Sequence, residues 1–406
     1  MRKLEPASDH EPMVWSYLSP QIWYGREALE VLFERISTDD RVTIVTDPNV
    51  EELEFFNHLI SRLNSITRSV RIFDGVNSTP DPATIKECVD LLIQSQPSWV
   101  IGVGGGSVLD TAKTAHLLCE NPQLRLDLQD GILFQRNFQR RNARSILVAI
   151  PTTAGTGSEA TCGMMVKDPN TDDLCLVASY HALADHAILD PQWTVSLPND
   201  VLACTAMDAL GQSIEAYTSN LKNDFSDGHA LVSIKLIFRW LRKAYSNPAD
   251  VEAKMKLQNA ACLSGLAWGN APGGLAHALA EAFSPHFGFH HGRAVGIFLP
   301  YAMEFNSRDS SCRSLYAEIA HFLGIEGDEL EKVRALIARI RALKQAVRLP
   351  ASIRLAGISK AQWASFSDHI VLRTLEDGIL KNRRSFDSED VVRILRCAWN
   401  GRRIHF

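Results

Sequence analysis

The pattern of apolar and polar positions changes character near residue 195. Before it, short apolar runs rich in β-branched residues alternate with stretches of helical period. Such runs, bounded by turn residues, predict buried strands, and their alternation with helices predicts a parallel sheet with helical crossovers. Strands are expected at 41–46, 68–73, 99–103 and 145–150. Helices are expected at 26–37, 50–64 and 82–95, and from Ser107 onwards.

After Asp190-Pro191 the chain has few β-branched runs and many helical periods, so an all-helical second domain is predicted. Its clearest periods cover 200–219, 226–245, 250–269 and 328–347. The predicted fold class is therefore an α/β nucleotide-binding domain with a parallel, Rossmann-like sheet over 1–195, followed by an all-α domain over 196–406. Residues 1–12 are expected to form a loose tail.

Composition fits this two-domain picture. The 406 residues are too many for one core, and contents of 46% apolar and 22% charged residues are those of a soluble globular protein. A net charge of −5 provides no basic field, so neither nucleic acid nor an anionic membrane is an expected partner. The local basic stretch is expected to be a solvated loop. It comprises Arg136, Arg140, Arg141 and Arg144.

The cysteines indicate the compartment. All eight are scattered and form no CxxC pair, which favours reduced thiols over a disulfide framework or a zinc ribbon. The N-terminus lacks the apolar core of a signal peptide, and no run approaches the roughly 18 apolar residues of a membrane span. We therefore expect a cytoplasmic protein.

A glycine-rich loop follows the third predicted strand. Gly104, Gly105, Gly106 and Ser107 join this strand to a helix, so free backbone N–H groups and the lack of Cβ atoms would suit a pyrophosphate. The alternative is a tight turn without a ligand. A second Gly/Thr/Ser-rich loop at 151–158 also follows a strand. Two such loops on neighbouring strand ends favour a nucleotide cleft.

Asp47 ends the first predicted strand. Its carboxylate would accept hydrogen bonds from an adenosine ribose and would repel a 2′-phosphate, so NAD is favoured over NADP. A simple turn residue is the alternative. The acid lies upstream of the glycines, unlike the standard dinucleotide fingerprint, in which it follows them by about 20 residues.

Two helical segments offer metal donors. Asp208 and Gln212 are four residues apart and share a helix face, and His277 and Glu281 repeat this spacing on a second helix. His291 follows fourteen residues after His277. Carboxylate and imidazole donors suit a borderline divalent ion such as Fe²⁺ or Zn²⁺, which can polarise a carbonyl. Each histidine alone is more often structural, so only the set carries weight.

These motifs together resemble the iron-containing (group III) alcohol dehydrogenases. The similarity runs in order from Tyr24-Gly25 to Asn382-Arg383 and covers nearly the whole chain. The matching segments are 104–113, 151–161, 207–210, 274–278 and His291-Gly292. The resemblance implies a dehydroquinate synthase-like architecture with the active site between a nucleotide domain and a helical metal and substrate domain. It implies reversible hydride transfer between NAD(P)H and a small aldehyde or primary alcohol.

The resemblance also implies roles for single residues near the cofactor. It puts Asp47 at the adenosine ribose and the glycine loop at the pyrophosphate, with Asp110 just inside the following helix. Thr152 and Thr153 match positions beside the nicotinamide. A homo-oligomer, a dimer or larger, is also implied.

The same resemblance makes Asp208, His277 and His291 three of four metal ligands. The fourth is usually a histidine, and here it is Gln212, a neutral and weaker donor that would favour a harder ion. Relatives also often carry a histidine where this chain has Glu281.

Glu281 and His290 are the predicted catalytic residues. Either would supply the proton that the alcohol product needs, unless solvent or a ribose hydroxyl does so. Alternatively, Glu281 joins the ligands or forms an exposed ion pair, and His290 faces solvent. Leu174 replaces a lysine that many relatives have beside the cofactor.

The sequence thus predicts an NAD(H)-dependent alcohol dehydrogenase or aldehyde reductase that uses Fe²⁺, with Zn²⁺ or another divalent ion as alternatives. A pocket lined by Trp268, Phe283 and Phe289 is expected. Gln212 motivates one alternative, a metal-independent enzyme of the maleylacetate-reductase type. Arg293 motivates another, a reductase of a phosphonate- or sulfonate-bearing aldehyde. A non-catalytic binding protein is the third.

Overall fold

The computed structural model describes residues 17–76, 79–124, 126, 128, 145–378 and 382–406. The predicted loose tail at 1–12 lies outside this part of the chain. So does the basic stretch of Arg136, Arg140, Arg141 and Arg144.

A six-stranded, fully parallel sheet forms the N-terminal half, with strand order β1-β8-β5-β4-β2-β3. A separate antiparallel hairpin, β6–β7, follows the second glycine-rich loop. The strands are β1 (Gln21–Tyr24), β2 (Arg41–Val45), β3 (Ser69–Phe73), β4 (Trp99–Gly104), β5 (Ile146–Pro151), β6 (Gly163–Lys167), β7 (Leu174–Ala178) and β8 (His186–Leu189). The four predicted strands are confirmed as β2 to β5, whereas β1, β8 and the hairpin were not predicted.

Helices cover the sheet on both faces. They are α1 (Glu30–Phe33), α2 (Pro48–Glu51), α3 (Glu54–Ile66), α4 (Pro82–Ser95), α5 (Gly106–Glu120) and α6 (Gln192–Val195). The expected helix at 26–37 is only one turn of α-helix. The expected helix at 50–64 is two, because Leu53 adopts an extended conformation between α2 and α3. The strand β4 is buried along its whole length, as expected for the centre of a parallel sheet.

The rest of the described chain is helical, as predicted. Its elements are α7 (Asn199–Thr218), α8 (Asp224–Ser246), α9 (Val251–Asn270), α10 (Leu275–Phe287), α11 (His291–Asn306), α12 (Ser310–Phe322), α13 (Glu329–Ala346), α14 (Lys360–Gly378) and α15 (Ser388–Asn400). Capping boxes begin α8 at Asn223 and α13 at Asp328, where each side chain accepts a hydrogen bond from an otherwise unpaired backbone N–H. The domain boundary near residue 195, between α6 and α7, stays a prediction.

Helix α7 lies at the centre of the helical half. It is buried from Leu202 to Thr218 and packs against α8, α9 and α11. Buried polar groups need hydrogen-bonding or metal partners, so the polar side chains of this helix are candidate functional groups.

Among the described helices, none combines the length and the apolar character that crossing a bilayer requires.

Candidate active site

The two predicted loops meet at the carboxyl edge of the sheet. Strands β4 and β5 are neighbours, with Gly104 opposite Pro151, and the backbone N–H of Thr152 donates to the carbonyl of Gly104 at 3.0 Å. A cleft of about 560 Å³ opens beside them, between the sheet and α10–α11. Its walls include Asp47, Gly105, Gly106, Ser107, Thr153, Thr156, Lys167, Leu174, Phe289, His290 and His291. The cleft therefore joins the phosphate-type loops to the start of α11.

The predicted cofactor residues divide into two groups. Asp47 lines the cleft and caps α2, accepting hydrogen bonds from the N–H groups of Asn49 and Val50. Gly104 and Thr152 are not part of the cleft wall and instead connect its two loops. The carboxylate of Asp110 accepts from Ser158 Oγ at 2.5 Å and from the N–H of Met165 at 2.9 Å. Asp110 therefore ties the helix of the first loop to the second loop and to the hairpin.

Three predicted metal ligands converge beyond the cleft. Asp208 Oδ1 lies 3.4 Å from His277 Nε2 and 3.5 Å from His291 Nε2. One donor atom from each of the three lies within 4.8 Å of the others. Two ligands at about 2.1 Å from a tetrahedral ion are about 3.4 Å apart, so the spacing matches a shared ion. The close approach of α11 to α7 requires Gly292, since a Cβ there would lie 2.2 Å from the carbonyl oxygen of Cys204.

These donors fit a divalent cation. Asp208 Oδ1 and His277 Nε2 are buried and make no hydrogen bond to any described residue, although a buried unpaired polar atom costs about 1–3 kcal/mol. Burial opposes protonation of His277, but Asp208 and Glu215 outweigh it and raise its pKa to about 10. A proton on His277 therefore offsets the negative charge of Asp208 and Glu215 when no cation is bound. Desolvation lowers the pKa of His291 to about 4, which leaves its imidazole neutral and able to bind a metal.

Glu215 holds His277 in position, and the sequence did not single it out. Its Oε2 lies 2.5 Å from His277 Nδ1, and the same carboxylate accepts from the backbone N–H of Ala276 at 2.6 Å. A carboxylate on the far nitrogen of a ligand histidine fixes which nitrogen faces the metal. Gly274 makes room for it: its φ is +125°, and a Cβ would lie 2.1 Å from Glu215 Cδ. The available signal was the spacing, since Glu215 lies two helical turns after Asp208 on one face.

Gln212 lies beside this site with its amide already engaged. Its Nε2 donates to the carbonyl of Thr156 at 3.1 Å, and its Oε1 accepts from Ser264 Oγ at 2.9 Å. A carbonyl oxygen has two lone pairs, so Oε1 retains one for an ion. Gln212 also joins the helical half to the second loop through Thr156.

A second, smaller pocket of about 160 Å³ is lined by Asp208, His277 and His291, which together form a donor triangle. Glu281 lines it one turn after His277 and is half-buried. The apolar part of the wall includes Met165, Leu176, Ala178, Trp268 and Pro272. Trp268 is 4.3 Å from the His277 ring between centroids.

The other two aromatic residues expected in the pocket lie elsewhere. Phe283 is fully buried in the helical core, and Phe289 lines the cofactor cleft. The guanidinium of Arg293 stacks on Phe289 at 4.9 Å from the ring centroid and is not part of the small pocket. His290 lines the cleft, and desolvation lowers its pKa.

Two models of one protein family match most of the chain. A family model described as iron-containing alcohol dehydrogenase matches residues 19–191, and a model of the C-terminal part of that family matches 202–399. The chain belongs to the iron-containing alcohol dehydrogenase family. This confirms the resemblance and the predicted fold class. As a member of this family, the protein is an oxidoreductase acting on CH–OH groups with a metal and a nicotinamide cofactor.

Individual relatives agree with this assignment. An NADPH-dependent butanol dehydrogenase from Clostridium saccharobutylicum is 30% identical over 96% of this chain and 99% of its own length. An aldehyde-alcohol dehydrogenase from Streptococcus pneumoniae serotype 2 is also 30% identical, over 90% of this chain, which matches only 43% of that longer protein. The solved structure of an iron-containing alcohol dehydrogenase from Thermococcus thioreducens superposes with a TM-score of 0.85 and 27% identity, covering 96% of this chain and all of that one.

Proposed function

We propose that this iron-containing alcohol dehydrogenase interconverts a short, neutral primary alcohol and its aldehyde with NAD(H), using one divalent ion. The observation that carries the proposal is the triangle of Asp208, His277 and His291. Asp208 Oδ1 and His277 Nε2 are buried there without a hydrogen bond to a described residue, and the three donors lie beside the cleft at the glycine loop. His291 and Thr156 line both the cleft and the small pocket, so the cofactor and the substrate would meet there.

We infer that Fe²⁺ is held by the three donors of the triangle, with Gln212 Oε1 as a weak fourth. Zn²⁺ or another divalent ion is the alternative, because oxygen and imidazole donors do not separate these ions. Gln212 is a weaker donor than histidine, and a metal affinity low enough for the ion to be lost would suit the metal-independent alternative. The buried, unpaired atoms of the triangle favour the metal-dependent one.

NAD is the proposed cofactor, with NADP as the alternative. The charge of Asp47 at one end of the cleft would repel a 2′-phosphate. The butanol dehydrogenase relative, by contrast, uses NADPH. The glycine loop would hold the pyrophosphate, and Thr153 would lie at the nicotinamide end.

The residues of the chain divide the chemistry between them. When bound, a divalent ion polarises a carbonyl oxygen and a reduced nicotinamide supplies hydride to its carbon. Glu215 keeps His277 Nε2 aimed at Asp208 and away from solvent. Glu281, on the pocket wall, would hold the proton that completes the alcohol, and His290 in the cleft is the second candidate for this step. Trp268 and the hairpin residues exclude water from the small pocket.

The small pocket supports a short and uncharged substrate. Its volume of about 160 Å³ is much smaller than that of a typical ligand pocket, about 300 Å³ or more. Its wall contains Asp110, Asp208 and Glu281 but neither arginine nor lysine among the described residues, so it would repel a phosphonate or sulfonate group. The anionic-aldehyde alternative, motivated by Arg293, is therefore disfavoured.

We also propose a homo-oligomer and a cytoplasmic location. The first rests on the family resemblance and the second on the scatter of the cysteines, all eight of which are thiols.

The test is a metal and substrate titration. Purified chain would be stripped of metal, reloaded with Fe²⁺ or Zn²⁺ under anaerobic conditions, and assayed by NADH oxidation with linear aldehydes of increasing length and with one sulfonated aldehyde. We expect activity only with metal, highest for the short neutral aldehydes. His277→Ala should lose the ion held by Asp208, His277 and His291 together with turnover, while His321→Gln, which changes an exposed histidine on α12, should keep both. Full activity of the stripped chain would overturn the metal-dependent proposal.

A further inference from the structure

A second histidine and aspartate cluster lies outside the active site. Asp173 precedes the hairpin strand β7, His286 lies in the last turn of α10, and His369 lies in α14. The three side chains come from three elements that are far apart in sequence. They meet where the hairpin of the sheet half contacts the helical half.

The donor atoms of this cluster share one centre. Asp173 Oδ1 lies 3.3 Å from His286 Nε2 and accepts a hydrogen bond from His369 Nε2 at 2.8 Å, which an ion would replace. One donor atom from each residue lies within 4.8 Å of the other two. The two imidazole rings are perpendicular, with centroids 4.7 Å apart, so they approach the carboxylate from different directions. The first distance is close to the separation of two ligands on a tetrahedral ion, about 3.4 Å, and the second needs to widen by about 0.6 Å to match it.

The second oxygen of Asp173 is held by a neighbour. Arg373 Nε lies 3.7 Å from Asp173 Oδ2, and its Nη2 donates to the carbonyl of Leu174 at 3.4 Å. An arginine on the outer oxygen leaves Oδ1 directed at the imidazoles. Outer partners of this kind commonly orient a ligand carboxylate in metal sites.

We propose that Asp173, His286 and His369 form a second divalent-metal site, suited to Zn²⁺ or Co²⁺. Two imidazoles and one carboxylate are donors that these borderline ions accept. Asp173 is buried and the side chain of His286 is 6% exposed, whereas the side chain of His369 is 37% exposed. An ion can therefore enter from the His369 side, and water can complete its coordination there.

The site would act on the cofactor cleft through its neighbours. Leu174, next to Asp173, and Pro285, next to His286, both line that cleft. An ion at the second site would cross-link the hairpin to α10 and α14 and so fix the width of the cleft at this point. Its role is structural, and it is separate from the triangle at Asp208.

Metal counting in variants tests the proposal. The full chain, loaded with Zn²⁺ and dialysed against a weak chelator, would be analysed by atomic absorption. We expect two ions in the unaltered chain, one in His277→Ala, one in His369→Gln and none in the double variant. His321→Gln, another exposed histidine, should keep two.

Cobalt provides a second readout that does not depend on activity. In the His277→Ala chain, Co²⁺ should give the visible absorption bands of a four-coordinate ion, and His369→Gln should abolish them. His369 is more exposed than His286, so we expect its replacement to leave the fold intact even if a change at His286 does not. The proposal is overturned if His277→Ala holds no ion and gives no cobalt bands, or if His369→Gln holds as many ions as the unaltered chain. If Asp208, His277 and His291 bind no metal, only the ion that depends on His277 is missing from the count. The result for the triangle and the result for the second site can therefore be told apart.

Discussion

Replacing Glu215 with glutamine is the sharpest test of the active-site geometry. The substitution keeps the size of the side chain but turns one of two acceptor oxygens into a donor. Glu215 now accepts from the N–H groups of Ala276 and His277 and from His277 Nδ1. If the new amide group faces His277, it donates to Nδ1 and moves the ring proton to Nε2. The nitrogen that would bind metal is then blocked.

The opposite orientation of the glutamine has a similar cost. Its amide group would then face the N–H of Ala276 and leave a buried donor unpaired, which costs about 1–3 kcal/mol. Loss of an outer partner of a ligand histidine typically lowers metal affinity about 10–100-fold, which corresponds to about 1.4–2.7 kcal/mol. The two magnitudes agree. We therefore expect Glu215→Gln to bind Zn²⁺ about 10–100-fold more weakly at the triangle.

Competition with a chromophoric chelator measures this affinity, with circular dichroism as the check on folding. Both the Glu215→Gln chain and the chain with Glu215 should also carry His369→Gln, so that only the ion at the triangle is counted. Glu304→Gln is the matched control, because Glu304 also accepts two hydrogen bonds, from Arg341 at 2.7 Å and from the N–H of Ile404 at 3.0 Å, but lines neither the cleft nor the small pocket. A folded Glu215→Gln chain with unchanged zinc affinity would refute the assigned role.

Three further predictions follow from other residues. Gly292→Ala puts a methyl group 2.2 Å from the carbonyl oxygen of Cys204. We therefore expect a loss of about 1–3 kcal/mol in the free energy of unfolding, measured by denaturant titration, and weaker metal binding, measured by metal analysis. Unchanged stability would contradict the close contact between α11 and α7. Asp47→Ser keeps a capping oxygen but removes the charge, so the ratio of NADP to NAD efficiency should rise about tenfold in steady-state assays, and an unchanged ratio would exclude Asp47 from the ribose site. Burial, assisted by Arg341, lowers the pKa of Lys344 to about 7 from its usual 10.5. Between these two pKa values the unfolded chain binds more protons than the folded chain, so the stability of the unaltered protein rises with pH. Lys344→Met should therefore raise the melting temperature more at pH 6.5 than at pH 9.5. An equal gain at both pH values would argue against a buried charge at Lys344.

Long elements with one clear period were predictable from the sequence. Helices α7, α8, α9 and α13 lie within a few residues of their expected bounds, since each is a long segment with residues of high helix propensity and no proline in its interior. The strands β1 and β8 were missed because each has four residues, too few to show a pattern. The hairpin was missed for a related reason: its pairing depends on packing against α5, which no local pattern encodes.

The placement of the triangle and the glycine loop was predictable because several motifs that resemble one family occur in order along the chain. The structure brings these residues to adjoining cavities. Glu215 was missed because a glutamate on a helix is usually a solvent-exposed residue, and only its contact with His277 shows otherwise. Asp173 was missed because its partners lie more than 100 residues away, on α10 and α14.

The buried helix α7 has a consequence for how the enzyme acquires its ion. Asp208 and Glu215 project from a helix that is buried from Leu202 to Thr218, and Glu215 accepts hydrogen bonds from Ala276 and His277 on α10. Packing of α7 and the contacts of Glu215 therefore hold Asp208 Oδ1 and His277 Nε2 3.4 Å apart. We expect a folded chain that has been stripped of metal to take up Fe²⁺ or Zn²⁺ again without unfolding, with the Gln212 donor influencing which of the two ions it retains.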